Sequence, residues 1–82
     1  MEHETISNLA DLPIGVNAKV TRLLGDDPLI RRRLIVMGIV PGEQVRVTKK
    51  APLGDPLEIR VEDLNNSLMV RRAEARTVEV RL

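Results

Sequence analysis

Leu57-Glu58-Ile59-Arg60-Val61-Glu62 alternates apolar and charged residues without a break. Successive side chains on a strand point to opposite faces, so this spacing predicts a strand with one dry face and one wet face. The same period recurs outward in both directions. Upstream, Val45-Arg46-Val47-Thr48 alternates, and within Val16 to Leu23 the residues Val16, Ala18 and Val20 alternate with Asn17, Lys19 and Thr21. Downstream, Ser67 to Val70 forms a short strand, and Val78-Glu79-Val80-Arg81-Leu82 alternates again. The pattern predicts a mainly β chain: a small, partly open barrel of about five antiparallel strands, whose closure would remove exposed edges.

The breaks between strands are equally legible. Ala51-Pro52-Leu53-Gly54-Asp55-Pro56 cannot join a ladder, because two prolines lack the donor and glycine is permissive. Asp63 to Asn66 supply turn chemistry, with asparagines able to take positive φ. Gly25-Asp26-Asp27-Pro28 reads as a helix start: Asp26 or Asp27 caps, and Pro28 occupies the first position, where no N–H is needed. Ile30, Leu34 and Met37 then share one helical face, which predicts an α-helix over 28–37. Gly38 closes that helix in the left-handed conformation, with Ile39 as an apolar latch. Val40-Pro41-Gly42-Glu43 has the residues of a type II turn. Arg72 to Ala75 reads as a single helical turn. Residues 5–15 read as an irregular entry in which Thr5 or Ser7 caps a turn carrying Leu9 and Leu12.

Eighty-two residues make one domain, 1–82, since so little chain cannot build two cores. Aromatic content is 0%, so aliphatic side chains fill the interior alone. The net charge of +1 argues against a nucleic-acid binder, and the lack of aromatic stacking platforms argues the same way for single strands. Without cysteine there is no disulfide, thiolate site or thiol nucleophile. The single histidine, His3, rules out a multi-histidine metal site. No catalytic residues and no metal or other cofactor are expected. The N-terminus lacks the basic start and apolar stretch of a signal peptide, so a cytoplasmic protein is expected.

Three stretches together resemble the FeoA family. Arg33-Leu34, Met37-Gly38 and Pro41-Gly42 within Asp26 to Gly42 resemble its helix-and-turn signature. Ala51 to Pro56 resembles its second signature, and Ser67 to Ala75 its third. The resemblance implies an SH3-like barrel and a non-enzymatic accessory of bacterial ferrous-iron uptake. The implied partner is FeoB, a membrane transporter with a cytoplasmic GTPase domain, through which alone the chain would reach the membrane. A weak homo-oligomer stays open. The alternative is a small-barrel nucleic-acid binder or an iron-repressor-like regulatory module, although the chain lacks a helix-turn-helix region.

The partner-binding candidates are Arg31, Arg32, Leu53, Gly54, Asp55, Pro56 and Met69. Consecutive helical residues lie roughly 100° apart, so Arg31, Arg32 and Arg33 cannot share one direction. Arg33 borders the apolar face and is expected to pair with a carboxylate, while Arg31 and Arg32 are more exposed: a solvated face, or a contact for an acidic or phosphate-bearing surface. The loop Pro52 to Pro56 is either a rigid connector or a docking loop with Leu53 at its tip and the Asp55 carboxylate near N–H groups or an arginine. Met37 reads as core filler. Met69 or its neighbours point outward. Asp26, Asp27, Pro28, Gly38, Pro41 and Gly42 are assigned to caps and turns.

Overall fold

The computed structural model describes residues 5–82. His3 lies outside the described residues. Six strands form a single antiparallel sheet: β1 (Ile6–Asn8), β2 (Asn17–Leu23), β3 (Gln44–Lys50), β4 (Leu57–Val61), β5 (Asn66–Val70) and β6 (Val78–Arg81). Their order across the sheet is β1-β6-β2-β3-β4-β5. Helix α1 (Pro28–Val36) joins β2 to β3, and the one-turn helix α2 (Arg72–Ala75) joins β5 to β6. Short 3-10 turns cover Leu9–Asp11 and Glu62–Leu64. Among the described residues no helix is long and apolar enough to cross a membrane.

The dry positions of the alternating stretches meet in one cluster. Ala18, Val20, Val45, Val47, Ile59 and Val80 are all buried there, and Leu9, Leu12, Leu34 and Ile39 fill it from outside the sheet. Registers shift between Val20 and Arg22 and between Val47 and Lys49. Such bulges bend and twist a strand, which lets one sheet wrap one core.

The expected mainly β fold is present, with one more strand than the alternating stretches announce and one different cap. The strand count is six, because Ile6–Asn8 pairs with β6. That segment is three residues long and never fully buried, so it carries no alternation to read. The turn at Leu9 is capped by Asn8, not by Thr5 or Ser7: Asn8 Oδ1 accepts the Asp11 N–H at 3.1 Å. The sheet is open between β1 and β5, which are not paired with each other, in keeping with the expected partly open barrel.

The helix bounds follow local chemistry. Asp27 Oδ1 accepts the Leu29 N–H at 2.9 Å, so Asp27 and not Asp26 is the cap, with Pro28 at the first position. Leu34 is fully buried, and Ile30 and Met37 pack partly buried beside it. At the other end Gly38 N–H donates to Ile35 O and Ile39 N–H donates to Leu34 O, both at 2.9 Å. This paired closure requires a left-handed residue, and Gly38 supplies it at φ +88°. The helix proper therefore stops at Val36, with Met37 as its cap. Gly42, at φ +96°, then turns the chain into β3.

Candidate functional site

The loop 51–56 between β3 and β4 is pinned at both ends. Ala51 N–H donates to Pro56 O at 3.0 Å, and Gly54 N–H donates to Ala51 O at 2.7 Å. The Asp55–Pro56 peptide is cis. Asp55 Oδ1 accepts the backbone N–H of Arg72, 17 residues away, at 3.0 Å. Asp55 thus caps α2 from a distant part of the chain, satisfying a donor its own helix leaves free. Leu53 stands at the tip with 91% of its surface exposed. Met69 lies across from Glu58 on β5 and is 53% exposed, which settles the outward residue of that strand. Pro56 and Met69, with Lys49, Lys50, Ala51 and Glu58, line a hollow of about 170 Å³.

Arg31 and Arg32 belong to a second region. Arg31 Nη2 donates to Leu23 O at 3.3 Å and to Gly25 O at 2.9 Å. Its guanidinium therefore serves the end of β2 as well as facing solvent. Arg32 is exposed. Beside them Arg22, Leu23, Arg31, Ile35, Val40 and Pro41 line a hollow of about 380 Å³. The two hollows share no residue, so the candidate residues form two patches and not one. Sequence reasoning missed Arg22, Ile35 and Val40, and it treated Pro41 only as a turn. The available signal was Leu29, Ile35 and Val36, apolar residues off the core face of α1 that remain exposed.

A polar contact joins α1 to α2. Arg33 Nε lies 3.4 Å from Glu74 Oε2, and Glu74 Oε1 accepts the Arg71 N–H at 3.0 Å. Two carboxylates elsewhere titrate away from their ordinary value. Hydrogen bonds from the Thr21 hydroxyl, and then from the Arg22 guanidinium, hold Glu79 below the usual carboxylate range. Desolvation pushes Glu43 above it, and the Asp63 carboxylate beside it pushes the same way. Glu43 Oε2 is buried without a hydrogen-bond partner. Among the described residues, no three His, Cys, Asp or Glu side chains converge as metal ligands would.

An antiparallel sheet of six strands, wrapped on an aliphatic core and carrying one short helix, is the architecture of a small SH3-like module. The FeoA domain model matches residues 7–82, and the chain belongs to that family. A curated relative, the Fe(2+) transport protein A/Fe(2+) transporter FeoB fusion protein of Porphyromonas gingivalis, is 39% identical over 74 residues. These are 90% of this chain and only 8% of the fusion protein. The solution structure of iron(II) transport protein A from Clostridium thermocellum superposes with a TM-score of 0.82 at 36% identity, over 92% of this chain and 44% of that one. FeoA of Stenotrophomonas maltophilia, crystallised with zinc and described as a prokaryotic SH3 domain protein, gives a TM-score of 0.76 at 34% identity over 89% of this chain and 87% of that one. A manganese-dependent transcriptional repressor, at 16% identity, shares the fold alone. The family is associated with ferrous iron transport.

Proposed function

We propose that this chain is a non-enzymatic, cytoplasmic accessory of bacterial ferrous-iron uptake that docks on the cytoplasmic part of the FeoB transporter and modulates its assembly or activity. The observation that carries this reading is the Porphyromonas gingivalis relative, in which a homologous segment is part of one polypeptide with that transporter. Tethering converts an encounter into an intramolecular event at millimolar effective concentration, so a fusion is useful where the two parts work together. The chain offers partner surface and little chemistry: a rigid loop with an exposed Leu53, an adaptable Met69, and Arg31 and Arg32 on α1.

The test is a binding titration against the transporter's soluble domain and against the full transporter in detergent. Wild-type protein binds, and Leu53→Glu and Arg32→Glu weaken binding. Arg32→Glu is a cleaner probe than Arg31→Glu, because the Arg31 head also holds Leu23 O and Gly25 O. Wild type that binds neither form removes the proposal. Variants that bind like wild type move the surface elsewhere.

A further inference from the structure

The two ends of β4 differ chemically. At its start Lys49 opposes Glu58 and Lys50 opposes Leu57, while Leu57 opposes Val70, from which the chain runs into Arg71 and Arg72. Arg72 Nη1 lies 3.7 Å from where a Cβ on Gly54 would sit, so this arginine flanks the loop directly. All four cations are exposed. The ion pairs among the described residues join Arg22 to Glu79 and Arg33 to Glu74, and use none of these four. Two carboxylates stand at this end against the four cations, each held by a hydrogen bond within the fold. Asp55 takes the Arg72 N–H, and Glu58 Oε2 takes the Thr48 hydroxyl at 2.9 Å. Glu62 and Asp63 follow the far end of β4, with Glu43 beside Asp63, while Arg60 and Arg46 oppose each other one residue before that end.

From the middle of the basic end projects Leu53, 91% exposed beside exposed Pro52. The bonds from Ala51 to Pro56 and from Gly54 to Ala51 hold the loop in place. Presenting the leucine therefore requires little further ordering.

We propose that this end of the molecule is a contact site for an anionic lipid surface. Leu53 enters the boundary between headgroups and acyl chains, and Lys49, Lys50, Arg71 and Arg72 meet the lipid phosphates. An apolar tip among cations on flexible stems suits a fluid surface that imposes no register. An acidic protein cleft is the less favoured occupant, because among the described residues none of the four cations beside the exposed tip is held in an ion pair that would set a register. The contact replaces the expectation that the chain reaches a membrane only through another protein. It does not depend on transporter docking, because lipid vesicles alone test it.

The experiment is co-sedimentation with vesicles of phosphatidylcholine and of a phosphatidylcholine–phosphatidylglycerol mixture, both free of protein. The chain is expected to bind the anionic vesicles only, and to dissociate as salt shortens the Debye length from about 10 Å at 0.1 M to about 3 Å at 1 M. Lys50→Glu is expected to weaken binding about tenfold. Lys19→Glu, the same charge change at an exposed position on β2, leaves it unchanged. Leu53→Glu, which removes no buried contact, also weakens binding. No binding at low salt, equal binding to neutral vesicles, or equal loss in the Lys50 and Lys19 variants overturns the proposal. So does wild-type protein that binds the soluble transporter domain through Leu53 but ignores vesicles. That last result leaves the docking reading standing.

Discussion

Arg33 Nε lies 3.4 Å from Glu74 Oε2, and this pair joins the one long helix to the one-turn helix. Glu74 is 7% exposed, and its other oxygen accepts the Arg71 N–H. The Arg33 side chain is 55% exposed, so the ion pair alone contributes about 0–1 kcal/mol. Loss of a helix-start acceptor costs about 1 kcal/mol more. Glu74→Ala is therefore expected to lower the unfolding free energy by about 1–2 kcal/mol, and Arg33→Ala by less than about 1 kcal/mol. Denaturant unfolding of both variants and of the double variant checks the order. Arg33→Ala as damaging as Glu74→Ala contradicts it.

Gly38 holds φ +88°, and a Cβ there would meet Leu64 Cδ1 at 2.6 Å. Leu64 is 52% exposed and can swing away, so the backbone conformation dominates the cost. Gly38→Ala is expected to destabilise by about 1–2 kcal/mol, and Gly38→Asn by less. Equal midpoints for alanine and wild type in thermal unfolding would show that the helix end adapts freely.

Asp55 Oδ1 is the acceptor for the Arg72 N–H. Asp55→Ala is expected to cost about 1 kcal/mol, and Asp55→Asn, which keeps an acceptor, about half as much. Amide hydrogen exchange gives the local readout: the Arg72 amide accelerates in Asp55→Ala, while core amides such as Ile59 change only by the global loss. An unchanged Arg72 amide contradicts the assignment.

Glu79 and Glu43 act in opposite directions with pH. The folded state holds the Glu79 carboxyl below the ordinary value of 4.5, so its stabilisation is present above that value and fades as pH falls through the lowered one. The folded state holds the Glu43 carboxyl above 4.5, so its stabilisation is present below 4.5 and is lost as pH rises through the raised value. Glu79→Gln is expected to be destabilising at pH 7 and neutral at low pH. Glu43→Gln is expected to gain on wild type as pH rises past 4.5. Denaturation midpoints across that range test both signs, and parallel curves for wild type and Glu43→Gln would refute the second.

Much of the fold was legible because its signals are local. The alternation of Leu57 to Val61 names that strand and its dry face, and Ile59 is fully buried. Asp27, Pro28 and Gly38 bound α1 through hydrogen bonds that span at most five residues. The surface was harder to read. Met69 could be placed only once Glu58 was its partner across β4 and β5. Arg31 read as a free cation, yet its head bonds two carbonyls at the end of β2. The 380 Å³ hollow joins residues of β2, α1 and the turn after it, and no single stretch announces it.

The amino-acid sequence by itself determined five of the six strands, the dry face of the strictly alternating ones, and the start and end of the long helix to within a residue. Steric and capping rules act over a few residues and leave their mark in spacing. Only the tertiary structure decided that Ile6–Asn8 is a sixth strand, that β1 and β5 are the edges of the sheet, that Asp55 caps α2 and that the candidate residues fall into two patches. Those features rest on strand order and register, which bring together residues far apart in the chain, and such contacts leave no periodic trace in the residues that make them.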